Sequence, residues 1–134
     1  ATDAGGLFAE QLVTLTIAQV NEAPVLANLD DTPTFVEGGS AVVLDANVTV
    51  SDPELSAADD FSGATLTLAR NGGANADDAL AFDGTNVTVS GADVLVGGTQ
   101  VGTYVFTGGE LVVTFGANST QARVNTLLRN IVYW

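Results

Sequence analysis

Carboxylates are the side chains in this sequence with the greatest capacity for chemistry. The chain has 134 residues, with 16 acidic side chains against three arginines and a net charge of −13 at pH 7. It contains no His, no Cys and no Lys. That composition excludes serine–histidine relays, thiolate nucleophiles, Schiff bases, and zinc, haem or iron–sulfur sites. Clustered carboxylates without nearby cations either repel one another or hold a hard cation such as Ca²⁺.

The charge balance also limits the partners of the chain. A strongly acidic domain lacks the basic surface that phosphate backbones or anionic lipids require, so nucleic acid is excluded as a partner. No run of about 20 apolar residues is present, and membrane insertion is therefore not expected. The sequence predicts a partner that is neither nucleic acid nor a lipid bilayer.

Two acidic pairs, Asp59-Asp60 and Asp77-Asp78, are the candidates for catalytic carboxylates. General acid–base catalysis needs burial that separates the pKa values of the two groups, and the surrounding sequence is rich in Gly and Ala. A glycosidase would need two facing carboxylates about 5–9 Å apart in a cleft, and nothing in the sequence indicates such a pair. Both pairs are predicted to be solvated loop residues, and no catalytic residue is predicted.

Short alternating apolar runs separated by loops rich in Gly, Asn and Asp predict a β-sandwich. Asp30-Asp31, before Thr32-Pro33, is predicted to form a turn. The glycine pairs at 72–73, 97–98 and 108–109 are predicted to be hairpin turns. The predicted strands are Leu12–Ile17, Ala41–Val50 as one strand interrupted at Asp45, Ala64–Ala69, Val87–Val89, Tyr104–Phe106 and Leu111–Phe115.

One segment near the C-terminal end has helical spacing. Thr120 is a possible N-cap, and the apolar residues after it recur at intervals of three and four. The spacing predicts about three turns from Thr120 to Asn130, with Arg123 and Arg129 on the solvent side. A further strand is predicted to begin at Ile131.

Three short motifs occur in a fixed order along the chain. They are Ala1–Gly6 with the strand Leu12–Ile17 and then Val20–Pro24; Phe35–Gly39; and Val50–Glu54. Their order and spacing resemble the cadherin-like tandem repeats of large bacterial surface and secreted proteins, of the RTX-adhesin or VCBS type. The resemblance implies an all-β, Greek-key, immunoglobulin/cadherin-like sandwich with one short helix near the C-terminal end.

The resemblance also implies a division of the chain. Residues 1–20 would be the closing strand of a preceding repeat, residues 21–24 a linker, and residues 25–134 a sandwich repeat truncated at its C-terminal end. A repeat without its last strand leaves an unpaired sheet edge, which proteins normally avoid. Residues 7–18 have the pattern to fill that edge, from the same chain or from a second copy in a strand-swapped homo-oligomer.

By resemblance, the metal ligands would be oxygens at the joints between repeats. Asp52 and Glu54 flank a proline that is predicted to fix a turn, so both side chains can converge with Asn21 of the linker. Glu37 would lie at the opposite end of the repeat, and neighbouring repeats would complete each half-site. The predicted Ca²⁺ ligands are Asp3, Asn21, Glu37, Asp52 and Glu54.

The linker departs from the family pattern in a way that matters for the ion. Ala18, Val20 and Glu22 stand where the family motif has Asp, Asn and Asn. This difference favours a single ion or a weakly bound one. The alternative is that the acidic turns bind no metal and only keep the protein soluble.

The resulting prediction is a non-catalytic structural or adhesion repeat that is extracellular or on a bacterial cell surface. Calcium would stiffen the joints with neighbouring repeats of the same chain, and distal domains would meet a cell-surface or matrix ligand. The alternative is a carbohydrate- or protein-binding sandwich module. An exposed patch at Tyr104, Phe106 or Trp134 would favour that alternative, whereas burial of all three would count against it.

Overall fold

A computed structural model describes residues 4–5 and 20–134 of the chain. The predicted strand Leu12–Ile17, the closing segment 1–20 apart from residues 4, 5 and 20, and Asp3 lie outside these described residues. Within the described part, the elements are β1 (Val25–Ala27), β2 (Val42–Val43), β3 (Thr49–Ser51), α1 (Pro53–Ala58), β4 (Thr65–Leu68), β5 (Leu80–Phe82), β6 (Val87–Ser90), β7 (Asp93–Val96), β8 (Thr99–Thr107), β9 (Glu110–Phe115), α2 (Gln121–Leu128) and β10 (Ile131–Tyr133).

The described residues are mostly β and form three antiparallel sheets. The largest sheet has the strand order β4-β9-β8-β7-β6, the second has the order β2-β10-β5, and β1 pairs with β3. Buried side chains from all three sheets and from α2 form one apolar core, which includes Val50, Val94, Leu111, Leu127 and Ile131. This arrangement is consistent with the predicted β-sandwich. Neither described helix is long and apolar enough to cross a membrane.

Two of the three glycine pairs form the predicted hairpin turns. Gly97-Gly98 joins β7 to β8 with φ values of 56° and 79°, and Gly108-Gly109 joins β8 to β9 with φ values of 59° and 86°. Two consecutive positive φ values define the type I′ turn, whose twist matches that of paired strands. The prediction was wrong for Gly72-Gly73, because β4 and β5 on either side of that loop belong to different sheets.

The segment 41–50 is not one interrupted strand, as the sequence had predicted. β2 pairs with β10, whereas β3 pairs with β1 in another sheet. The cause is Asp45, whose Oδ1 accepts the backbone N–H groups of Asn47 at 3.0 Å and Val48 at 2.7 Å. A buried carboxylate that takes these N–H groups replaces the strand ladder with a turn.

The C-terminal helix forms as predicted, with Thr120 as its N-cap. Val124, Leu127 and Leu128 are buried against the core. Arg129, however, is not on the solvent side, because its Nε donates to the carbonyl oxygen of Val48 at 2.9 Å.

Polar side chains of α2 bond with the outer edge of β3. Asn125 Oδ1 accepts the N–H of Val50 at 2.8 Å, and Gln121 Nε2 donates to the Val50 carbonyl at 3.0 Å. Arg129, four residues after Asn125, bonds Val48, two residues before Val50. Four helix residues span about 6 Å, close to the 6.6–6.8 Å repeat of two strand residues. The helix therefore covers an edge of β3 that would otherwise lack backbone partners.

A second helix, α1, was not predicted from the sequence. Asp52 is its N-cap, Pro53 occupies its first turn, and Glu54 is its first acidic residue. These three residues follow the ordinary preferences of a helix N-terminus, where Asp caps, Pro begins and acidic groups meet the positive end of the dipole. Asp52-Pro53-Glu54 therefore starts a helix instead of forming the predicted turn.

Candidate functional site

Three acidic residues, which we call the linker cluster, lie where the chain enters β1 and leaves β3. They are Glu22, Asp52 and Glu54. The β1–β3 register pairs Val25 with Ser51, so residues just before β1 lie beside residues just after β3. Antiparallel pairing thus brings the linker next to the start of α1, although 30 residues of sequence separate them.

Glu54 is the least satisfied member of the linker cluster. Both of its carboxylate oxygens are shielded from solvent, and neither has a hydrogen-bond donor among the described residues. Asp52 is buried, and its Oδ1 accepts the N–H groups of Glu54 at 3.0 Å and Leu55 at 2.9 Å. Capping therefore occupies one oxygen of Asp52, while the Glu54 carboxylate is left without compensation for its lost water.

The linker cluster raises the pKa of Glu22. The main cause is the side-chain contact with Glu54, to which a protonated Glu22 would donate a hydrogen bond, and desolvation and the negative charges of Glu54 and Asp52 act in the same direction. When both glutamates are ionised, neither has a hydrogen to donate, and the contact is repulsive. A proton on Glu22 relieves the repulsion by donating to Glu54, and a cation bound by both groups would also reduce it.

The structure brings together two of the five predicted ligands. Asp52 and Glu54 adjoin each other, whereas the Asn21 side chain donates to the carbonyl of Glu22 at 3.2 Å. Glu37 lies in an exposed turn between β1 and β2. Asp3 lies outside the residues that the structure describes.

Glu22 is a functional candidate that sequence reasoning missed, as are the three acidic residues described below. Its identity as a Glu had been counted as a departure from the family linker. The register of β1 with β3, which fixes its position beside Glu54, could not be deduced from the local sequence.

A second acidic group, which we call the loop cluster, lies at the opposite end of the β1–β3 ladder. It consists of Asp30, Asp31 and Asp45, each of which places a carboxylate oxygen within 4.8 Å of the others. The ladder ends there with Ala27 paired to Thr49. These three acidic side chains could hold a metal ion, although the donor set is not specific to Ca²⁺.

Backbone N–H groups already satisfy the central carboxylate of the loop cluster. Asp45 is 2% exposed, and besides its two bonds to Asn47 and Val48 its Oδ2 accepts from the N–H of Asp30 at 3.0 Å and of Asp31 at 3.2 Å. Burial raises the pKa of Asp45, but these four hydrogen bonds outweigh it and hold that pKa below its ordinary value. Asp45 therefore ties two loops together, and Asp30-Asp31 lies in an irregular segment between β1 and β2 instead of the predicted turn.

The two acidic pairs that had been predicted to be solvated loop residues differ from each other. Asp59 ends α1 in a left-handed conformation and accepts the N–H of Gln121 at 2.8 Å. Asp78, in contrast, is only 5% exposed and accepts hydrogen bonds from Arg70 and from the Tyr133 hydroxyl. The prediction of a solvated side chain was therefore wrong for Asp78, because the β10 strand brings Tyr133 over the loop that carries it.

An aromatic groove, defined by Phe82, Tyr104, Phe106 and Trp134, encloses about 220 Å³ between residues of β5, β6 and β8. Tyr104 is half-buried and stacks edge-on against Phe82, with ring centres 5.6 Å apart. Phe106 is 37% exposed and Trp134 is 64% exposed. The three aromatic residues that would decide between the two predicted functions are thus not all buried.

Comparison of the chain with protein-family models, with curated proteins and with solved structures found no match.

Proposed function

We propose that the chain is a non-catalytic, cadherin-like structural or adhesion repeat whose joint with a neighbouring repeat is stiffened by Ca²⁺ at the linker cluster. The observation that carries this proposal is the Glu54 carboxylate, whose two shielded oxygens have no donor among the described residues. A buried anion without a partner destabilises the fold unless a proton or a cation neutralises it. The chain offers no Lys or His for that purpose.

The chemistry of the cluster suits a hard cation. Ca²⁺ takes six to eight oxygen ligands, which include carboxylates, carbonyls and waters. Glu22, Asp52 and Glu54 supply carboxylates, and one oxygen of Asp52 is already used for capping. They provide only part of a full ligand set, which supports the proposal that a neighbouring repeat completes the site across the joint.

Stiffening follows from electrostatics. Without the ion, the carboxylates on the two sides of the joint repel one another and the linker bends freely. With the ion, both sets of carboxylates bind the same cation, and the repeats align. A row of such repeats would form a rod that holds distal domains away from the cell. This role implies an extracellular or cell-surface location and a Greek-key sandwich of the cadherin type.

The test is a thermal melt in EDTA, in millimolar CaCl₂, and in MgCl₂ at matched ionic strength. We expect Ca²⁺ to raise the melting temperature. When free Ca²⁺ is tenfold above its dissociation constant, the free energy of unfolding should increase by about 1.4 kcal/mol. Glu54→Gln should abolish this gain, because it removes the unpaired carboxylate.

The matched control is Asp30→Asn, which removes a carboxylate of the loop cluster and should keep the calcium effect. An equal response to Mg²⁺ and Ca²⁺ would mean that only screening of the net charge is seen. A calcium gain that persists in Glu54→Gln would contradict the linker cluster as the site.

The second candidate function is a carbohydrate- or protein-binding module, and the partly exposed aromatic groove is the observation that favours it. Exposed aromatic rings bind the apolar faces of ligands. Trp134 is the single tryptophan of the chain, so its fluorescence reports on this groove alone. A saturable change in that fluorescence with a polysaccharide, lost in Phe106→Ala, would support the groove; no change would count against it.

A further inference from the structure

A cavity separate from both acidic clusters combines apolar walls with one charged pair. It encloses about 260 Å³, and its lining includes Leu44, Leu68, Leu80, Arg70, Asp78 and Tyr133. The leucines come from three different parts of the fold, so they meet only in the tertiary structure. Leu80 also lines the aromatic groove, which makes the two cavities neighbours.

The charged pair in this cavity is only partly satisfied. Asp78 Oδ1 accepts from Arg70 Nη2 and, at 2.9 Å, from the Tyr133 hydroxyl. Its other oxygen, Oδ2, is shielded from solvent and has no donor among the described residues. The Asp78 side chain is 4% exposed, so this unpaired acceptor belongs to a side chain more than nine-tenths buried. A buried acceptor without a donor costs free energy, which a ligand that supplies an O–H or N–H can recover.

Arg70 forms the solvent-exposed wall of the cavity. Its side chain is 52% exposed, and the guanidinium has further N–H groups beyond the one that bonds Asp78. Arg70 therefore offers donors to a ligand next to the acceptor that Asp78 offers. A ligand group that both donates and accepts hydrogen bonds, such as a hydroxyl, matches the Asp78 acceptor and the Arg70 donor.

The electrostatics of the chain narrow the ligand class. A net charge of −13 repels anions. A cation is disfavoured as well, because the positive charge of Arg70 lines the same cavity and repels it. A volume below the roughly 300 Å³ of the smallest drug-sized sites suits a single ring. A neutral sugar ring combines adjacent hydroxyls, which donate and accept, with an apolar C–H face that the leucines and Tyr133 can cover.

We propose that this cavity binds one ring of a neutral saccharide, with a ring hydroxyl donating to Asp78 Oδ2 and accepting from Arg70 once the Arg70 side chain turns outward. The leucines and the Tyr133 ring then contact the apolar face of the sugar. This inference is independent of the calcium proposal, and it deepens the second candidate function by naming a ligand class and an anchoring pair.

The test is a titration of the ¹⁵N-labelled chain, in EDTA so that calcium plays no part. The probes are glucose, galactose, mannose and N-acetylglucosamine, with sodium acetate and tetramethylammonium chloride as charged controls. We expect saturable amide shifts around Arg70, Asp78 and Tyr133 with at least one sugar and with neither charged control. In Arg70→Gln the affinity for that sugar should fall about tenfold or more, as expected for loss of a hydrogen bond to a charged group.

The matched control is Asp77→Asn, which changes the neighbouring carboxylate outside the cavity lining and should leave the affinity unchanged. Arg70→Gln leaves the buried Asp78 carboxylate with the Tyr133 hydroxyl as a donor, so the spectrum of the variant is checked for the folded state before the titration. Unsaturable shifts, shifts at other sites, or equal affinity in Arg70→Gln would overturn the proposal. A Trp134 fluorescence change that does not depend on Arg70 would assign binding to the aromatic groove alone.

Discussion

The linker cluster and the loop cluster occupy opposite ends of the same β1–β3 ladder, and each contains three carboxylates. They differ in the hydrogen-bond donors that face their buried carboxylate oxygens. Asp45 in the loop cluster accepts four backbone N–H groups. Glu54 in the linker cluster has no donor for either oxygen among the described residues.

The pKa shifts of the two clusters run in opposite directions for that reason. Hydrogen bonds to the ionised form lower the pKa of Asp45 against the effect of burial. The contact with Glu54 raises the pKa of Glu22. Two groups of acidic residues that look alike in number therefore differ in whether the protein already supplies donors to their buried oxygens.

The largest expected effect is at Asp45. Asp45→Asn exchanges one carboxylate oxygen for an NH₂ group that faces backbone N–H groups, so at least two hydrogen bonds are lost and two donors are opposed. We expect the melting temperature to fall by on the order of 10 °C, measured by circular dichroism. Asp31→Asn is the control, since Asp31 is exposed and accepts one N–H, from Ala46 at 3.0 Å. An equal loss in both variants would contradict a central role for Asp45.

Glu54→Gln should have the opposite sign in the absence of calcium. The change removes a shielded charge that repels Glu22, and the new amide can donate to the Glu22 carboxylate. In EDTA we expect a rise in melting temperature of a few degrees, smaller than the fall at Asp45. A decrease in melting temperature would mean that the Glu54 carboxylate has a favourable partner. The proposed difference between the two clusters would then be wrong.

The pH dependence of stability should separate the clusters. The pKa of Glu22 is raised above its ordinary 4.5 in the folded state, so the folded state binds more protons and stability increases as pH falls from neutrality towards 4.5. The pKa of Asp45 is lowered from 3.8, so its contribution is present above 3.8 and is lost only at lower pH. Melts in EDTA should therefore show maximum stability on the acidic side of neutrality. Glu22→Gln should weaken the rise between neutrality and 4.5 without changing the loss at lower pH; an unaltered rise would contradict the contact with Glu54.

The smallest effect is expected at Asp30. Its backbone N–H bonds to Asp45, and the substitution Asp30→Asn leaves that bond in place. The side chain is exposed, so the unfolding free energy should change by no more than about 0.5 kcal/mol. A larger change in a denaturant titration would show that the outer carboxylates of the loop cluster contribute to stability themselves.

The fold could be predicted where local chemistry decides the structure. Gly97-Gly98 and Gly108-Gly109 form hairpins because glycine, which lacks a Cβ, accepts two successive positive φ values without strain. Thr120 and the apolar spacing after it specify α2. Asp52-Pro53-Glu54 also carries local helix-start signals, namely an Asp cap, a Pro in the first turn and an acidic residue. The family resemblance favours a turn there, and that prediction is wrong.

The sites could be predicted only in part. Asp52 and Glu54 are close in sequence, and their proximity in space follows directly. The position of Glu22 and the burial of Asp78 depend on pairings between residues 30 or more positions apart. The break between β2 and β3 depends on the buried carboxylate of Asp45. No local sequence pattern encodes these contacts.

The sequence by itself determined the mostly β architecture, the acidic surface, and the chemistries excluded by the absence of His, Cys and Lys. These follow from residue type and short-range spacing, which act on the unfolded and folded chain alike. Only the tertiary structure decided which carboxylates have backbone donors and which do not. Burial and long-range pairing set the solvation of each charge, and they exist only once the chain has folded.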